Sequence, residues 1–417
     1  MSGRKDDPRR LWSDPPAGPP PLAEGLKPLG HDELDIELGP AHPAMHGIVK
    51  LKLRVEGESI IRCEPEVGYL HRGFEKTCEH RRWTQCIPYV DRLNYVSAPV
   101  NDIAFCMTVE DMLGVAVPAR AVALRTLLME AGRIVDHLTC LGASAMELGA
   151  FTAFLWLMQA REEWYFFLEH YCGARITTNL SRIGGQPYDL FTGFEAEVEA
   201  CLKKTEDMVF KVHKLSTRNR IFHDRLRGTG VIDADTALDL GFTGPLLRGS
   251  GLDLDLRKAR PYLLYDKLDF HVPVGLHGDN YDRYLVRLEE IRQSASLVRQ
   301  VLHAIPEGPL MVEDPHISLV PKTAVYNHIE GIIHHFKLLT GGHAVPAGHW
   351  YKAVEAPNGE LGFYLVSDGG GMPYRVRARP PSLYATAGLP EMLKGQMIAD
   401  VVATFGSINM IGGELER

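Results

Sequence analysis

From Asn101 to Arg220, apolar residues recur at three- and four-residue spacing with little glycine or proline between them. Amphipathic helices satisfy that period, and each must bury its stripe against another, so the chain has to build a helical bundle. Arg120–Leu141 and Phe194–Ser216 carry the pattern most clearly. A further helix opens at Asp279, a good N-cap residue, and puts Tyr281, Tyr284, Leu285, Leu288, Ile291, Ala295, Val298 and Val301 on one face. Tyr326–Leu339 reads as another helix.

Both flanks change period. Leu34, Ile36 and Leu38 alternate with polar residues, as do Val49, Leu51, Leu53 and Val55, and the turn Glu56-Gly57-Glu58 leads to a third strand near Ile60–Cys63. Gly362–Val366 and Tyr374–Arg379 flank Ser367-Asp368-Gly369-Gly370-Gly371, whose glycines permit a hairpin. The expected class is α+β: a central helical bundle with a small antiparallel sheet built from the N- and C-terminal segments. Residues 1–30, with Pro15, Pro16, Pro19, Pro20, Pro21 and Pro28, read as an extended, poorly ordered tail, leaving 31–417 as one domain.

Leu138 to Met158 is apolar apart from Glu147 and a few small polar residues. It reaches the ~20 residues of a membrane span. A carboxylate near its middle and Arg161-Glu162-Glu163 just beyond favour a helix buried in a large core instead. The net charge of −8, with no block of Lys or Arg, offers no phosphate-neutralising footprint and excludes nucleic acid as a partner. The seven cysteines include no C-x-x-C pair and none follows Cys201, a distribution that fits free thiols rather than a disulfide, zinc or iron–sulfur framework. No metal site is expected at His334, His335, His343 and His349, because adjacent helical residues diverge by about 100°. Gly228-Thr229-Gly230 lacks the third glycine of a dinucleotide loop.

Two strings concentrate chemistry. Gly39-Pro40-Ala41-His42-Pro43-Ala44-Met45-His46-Gly47 is a turn between strands that carries two imidazoles at its tip, where histidine suits proton delivery near neutral pH. Taken alone, the spacing fits ordinary turn histidines equally well. Val67 to Lys76, then Glu79-His80-Arg81 and Asp91-Arg92-Leu93-Asn94-Tyr95, are dense in charge, imidazole and phenol, which a solvated charged face also explains.

Those strings, with Arg182-Ile183-Gly184-Gly185, Arg248-Gly249-Ser250-Gly251, Gly278 to Arg283, His334-His335-Phe336-Lys337 and Gly359–Gly369, appear in the order of one family. From about residue 33 onward the chain resembles the 49-kDa, or D-type, subunits of NADH:quinone oxidoreductase (complex I), themselves similar to the large subunits of [NiFe] hydrogenases. Hydrogenases hold their metals with an early and a late cysteine pair. The matching segments here, Arg92-Leu93-Asn94-Tyr95 and Phe405 to Met410, contain no thiolate, so the soft ligands that nickel–iron chemistry requires are missing.

The resemblance implies that the emptied cavity takes a quinone headgroup, the substrate. His46 and Tyr95 would contact its oxygens, Glu147 would orient His46 and relay protons, and His42, Met45 and Asn409 would line the pocket. A phenol and an imidazole suit the task, because two-electron reduction loads negative charge and then protons onto the quinone oxygens. Electrons would come from a [4Fe–4S] cluster in a small iron–sulfur (B-type) partner, with Arg92 beside it. A 30-kDa-type (C) subunit and membrane-arm subunits would complete a peripheral assembly on the cytoplasmic face of the plasma membrane. Three residues depart from the family's usual pattern: Glu147 and Asn409 stand where it has Asp, and Thr177 where it has a histidine. The rival readings are a ferredoxin- or deazaflavin-fed complex, a nickel-free relative of membrane-bound hydrogenases, and a non-catalytic scaffold.

Overall fold

The computed structural model describes residues 33–417, so the proline-rich tail and the domain start at residue 31 lie outside the described residues. The first three strands, β1 (Glu33–Leu38), β2 (Lys50–Glu56) and β3 (Ser59–Glu66), form an antiparallel sheet in that order, with Ile36 opposite Leu53 and Leu38 opposite Leu51. Two short helices, α1 (Phe74–Cys78) and α2 (Trp83–Val90), lead into the bundle. Its members are α3 (Ala98–Leu113), α4 (Ala119–Glu147), α5 (Phe151–Cys172), α6 (Phe194–Val212) and the Asn280–Leu302 helix. Helix α4 is central: α3, α5, the Asn280–Leu302 helix and the short Asp400–Ile408 helix all pack on it. Asp279 caps the Asn280–Leu302 helix as expected, its carboxylate accepting from Asp282 N at 2.8 Å.

The α+β class holds, with three corrections. The strands from the two ends form two sheets rather than one, because β4 (Gly348–Ala356), β5 (Gly359–Ser367) and β6 (Arg375–Arg379) pair only among themselves. Each central strand, β2 and β5, has both edges filled by its own sequence neighbours. The second sheet packs against α3, where Phe105 and Phe363 meet edge to face at 5.6 Å. The apolar run Leu138–Met158 is not one buried helix: α4 ends at Glu147, Gly149 turns with φ of 86°, and α5 begins at Phe151. Glu147 therefore sits at a helix end rather than mid-helix, and no helix among the described residues is long and apolar enough to cross a membrane. Finally, the helix read over Tyr326–Leu339 breaks at His328, which is extended between the Lys322–Asn327 and Ile329–Gly341 helices. The break lets Gly331 approach Ala324 so closely that a Cβ would lie 2.3 Å from its carbonyl oxygen.

Charge, not only apolar surface, binds the bundle. Glu130 on α4 accepts from Arg257, Tyr265 and Ser294, with Arg133 beside it. Arg248 bridges Glu290 at 2.6 Å and Glu355 at 2.7 Å, and His137 meets the other Glu290 oxygen at 2.6 Å. Arg257 holds Asp255 at 2.7 Å. All of these groups are out of water. Burial opposes ionisation of Glu290, but Arg248 and His137 outweigh it and hold its carboxyl well below the usual range. For Glu130, Arg133 and Arg257 likewise overcome burial. Near the other end of α4, Arg125 makes a two-pronged bond to Glu110 at 2.7 Å and donates to the carbonyls of Arg182 and Gly185, fixing the Arg182–Gly185 string to the bundle.

Candidate functional site

The turn between β1 and β2 ties itself together. His42 N donates to Pro40 O, Met45 N to His42 O, and the His42 ring nitrogen Nδ1 accepts from Ala44 N at 3.2 Å. Met45 is fully buried among Phe405, Ile408 and their neighbours, so it anchors the turn in the core. His46 follows at φ 54°, an unusual left-handed backbone for a non-glycine residue, and Gly47 continues it at 79°. This bend aims the His46 ring outward at the end of α4. Its Nε2 lies 3.1 Å from Glu147 Oε1, and its ring meets Phe405 edge-on at 6.3 Å. The His46 side chain is 44% exposed and that of Glu147 only 7%. The second carboxylate oxygen, Oε2, is buried with no hydrogen-bond partner among the described residues. It lies against Gly406, where a Cβ would come within 2.6 Å of it, so the longer acid at position 147 fits because residue 406 has no side chain.

Tyr95 stands on a second loop, pinned by amides. Asn94 Oδ1 accepts from Val96 N and Ser97 N, Asn101 donates to the carbonyls of Asp91 and Asn94, and Asn94 Nδ2 donates to Asp136 Oδ2 at 2.7 Å. Tyr95 is 37% exposed. Partial burial raises its phenol pKa, and the nearby carboxylates of Asp136 and Glu414 push it the same way. The phenol is thus held protonated, ready to donate.

The C-terminal segment joins these parts. Asn409 donates to the other Asp136 oxygen, Oδ1, at 2.6 Å, and Ser144 donates to Gly406 O at 3.0 Å. Gly413 packs so tightly on the 92–93 backbone that a Cβ would lie 2.5 Å from the carbonyl oxygens of Arg92 and Leu93, while Arg72 bonds both Arg92 O and Gly413 O. Glu416 accepts from Gly68 N and Leu70 N, and its carbonyl meets the His71 ring, so the Val67–Lys76 string clasps the chain's last residues. The Arg92–Tyr95 and Phe405–Met410 segments therefore meet at the Asp136 carboxylate of α4, to which each presents an amide. The thiol against them, Cys140 on α4, has its pKa raised by burial to about 11 and stays protonated.

Of the seven residues singled out from sequence, His46 and Glu147 are bonded, and Tyr95 and Asn409 meet through Asn94 and Asp136. His42 and Met45 are spent on the turn itself. The Arg92 backbone belongs to this region, but its side chain is exposed and donates to Pro88 O beside Arg81, Gln85 and Tyr89. Asp136, Asn94, Gly406 and Glu414 were not identified. For Asp136 a signal existed: Asp136 and Glu147 are eleven residues apart, about three helical turns, and so share one face of α4.

A profile of the family described as "Respiratory-chain NADH dehydrogenase, 49 Kd subunit" matches residues 147–417. The D subunit of the NADH-quinone oxidoreductase of Myxococcus xanthus is 50% identical over 382 residues, 92% of either chain. The C/D subunit of the NADH-quinone oxidoreductase of Bdellovibrio bacteriovorus is 47% identical over 93% of this chain and 70% of its own length. The mitochondrial NADH-ubiquinone oxidoreductase 49 kDa subunit of Neurospora crassa is 45% identical over 92% of this chain and 80% of its own.

Proposed function

The chain belongs to the 49-kDa subunit family of the respiratory-chain NADH dehydrogenases, a part of an oxidoreductase complex, and on that footing we propose that it supplies the chamber in which a quinone headgroup is reduced. The observation that carries this reading is the exposed His46 ring backed by a buried Glu147 carboxylate at the end of α4, the helix whose Asp136 anchors the Tyr95 loop through Asn94. Reduction of a quinone consumes two electrons and two protons. Tyr95 and His46 each present a donor to the negative charge that builds on the oxygens, a stabilisation worth roughly 2.7–4 kcal/mol per well-placed donor. Glu147 fixes the ring of His46 and returns a proton to it.

The electrons would come from a [4Fe–4S] cluster held by a partner, and the exposed Arg92 guanidinium would supply a fixed positive charge beside it. His42 and Met45 set the depth of the quinone pocket through the turn they hold, and Asn409 lines its floor. A relative whose single chain is named for both the C and the D components supports a C-type neighbour. The apolar residues Met146, Phe151, Leu155 and Ile221, all exposed around the Glu147 end of α4, suit docking on membrane-arm subunits from the cytoplasmic side.

The test uses membranes containing the assembled complex. Tyr95→Phe and His46→Ala should each cut NADH:quinone turnover on the order of 100-fold while NADH oxidation by an artificial acceptor continues. Native quinone turnover in both variants would remove this chain from the chemistry.

A further inference from the structure

Asp136 is the least expected group in the region. It is 1% exposed, forms no ion pair among the described residues, and has both oxygens occupied by side-chain amides, Asn94 at 2.7 Å and Asn409 at 2.6 Å. Those amides belong to two segments of the candidate site, one immediately before Tyr95 and one at the end of the Asp400–Ile408 helix. Asn409 stands where the resemblance leads one to expect a carboxylate, and the atom its amide touches is a carboxylate on α4. The pocket's negative charge is present, displaced across one hydrogen bond.

The arrangement is directional. A carboxylate accepts from both amides at once, whereas an asparagine at position 136 has one acceptor oxygen and would turn an NH2 group toward the second amide, so one bond must break. The titratable groups that feel Asp136 come from the elements packed around it: Tyr95 from its loop, Glu414 from the C-terminal segment, Tyr165 from α5, and His137 and Cys140 from α4, these last two also facing Arg287 of the Asn280–Leu302 helix. Arg287 is itself buried, with Nε and Nη2 unpartnered among the described residues.

We infer that Asp136 is a positioning residue for quinone reduction, carrying the pocket charge that position 409 lacks and setting, through Asn94, where the Tyr95 phenol stands. This rests on the chamber reading above and is tested separately from it. Asp136 touches no quinone; it loads and aims the donor, so its loss acts on turnover more than on binding.

In membranes with assembled complex, with rates normalised to the artificial-acceptor rate, Asp136→Asn should lower quinone kcat at least ~10-fold and leave KM within about twofold. The swap Asp136→Asn with Asn409→Asp restores both the charge and the hydrogen-bond count and should recover kcat to within ~3-fold of native. Native kcat in the single variant overturns the inference, as does a swap that stays as slow as the single. Where the single variant fails to assemble, the swap decides by comparison with native: kcat within ~3-fold supports the inference, and a deficit of ~10-fold or more overturns it. Tyr95→Phe measured alongside separates the two levels. If it is slow while Asp136→Asn is native, only this inference falls; if Tyr95→Phe and His46→Ala are both native, the chamber reading falls with it.

Discussion

Glu130 and Glu147 lie on the same helix, yet their surroundings are opposite. Glu130 is fully buried and both its oxygens are filled by Arg257, Tyr265 and Ser294, with Arg133 alongside. Among the described residues Glu147 has one partner, a half-exposed imidazole, and an oxygen with none. At the first position every lone pair is matched and the charge is locked, so the residue holds helices together. At the second, spare hydrogen-bonding capacity is kept beside an open ring, which is what a proton-handling group requires. The same helix carries a saturated carboxylate in its dry middle and an unsaturated one at its C-terminal end.

Disrupting the saturated region should have the largest effect. Glu130→Ala leaves Arg133 without its carboxylate in the core and takes one of two from Arg257, and should cost about 3–5 kcal/mol, read as loss of this chain from the solubilised complex at a lower temperature. The folded pKa of Glu130 is depressed, so its contribution is present above the unfolded value of roughly 4.3 and is lost only as pH falls through the folded one. That contribution should therefore not vary between pH 5 and 8. Glu414 behaves oppositely: burial pushes it up to about 7, so the stability it contributes is present below about 4.3 and lost as pH rises through 7. Glu414→Gln should consequently melt higher than native at pH 8, by on the order of 2 kcal/mol, and the advantage should shrink toward pH 5.

Smaller effects sharpen the contrast at the unsaturated end. Glu147→Gln keeps a partner for His46 but cannot relay a proton, so quinone turnover should fall on the order of tenfold with melting unchanged; an equal loss of melting would make Glu147 structural. Gly406→Ala pushes on Glu147 Oε2 and should cost a few-fold in turnover, recovered when combined with Glu147→Asp. Asp35→Ala removes the partner of Arg54 on the first sheet and should change neither property measurably.

What was legible in the sequence follows from range. The long helices and the hairpins around residues 56–58 and 367–371 announce themselves through local period and turn residues, and their positions hold. The β4 strand went unread, since Gly348–Ala356 mixes polar, aromatic and small residues without a clean alternation. The end of α4 was misread because Gly149 is one residue in an otherwise continuous apolar run. The motif histidines drew attention, yet only His46 reaches outward, while His42 caps its own turn. Asp136 offered only its helical spacing from Glu147, and the Glu130–Arg257 and Arg248–Glu290 pairs had no local signal at all. Charged residues on a helix read as its wet face until the distant partners that bury them are known.

That distance has a consequence for how the molecule forms. His137 and Glu290 are 153 residues apart in the chain, Glu130 and Arg257 127, and Arg248 and Glu355 107. Loops of that size close slowly, and none of these charges tolerates a dry core before its counterpart arrives. A half-finished bundle must leave its centre hydrated, so water leaves and the helices lock in one late, concerted event. Until then the apolar faces that the finished bundle buries stay exposed to other chains.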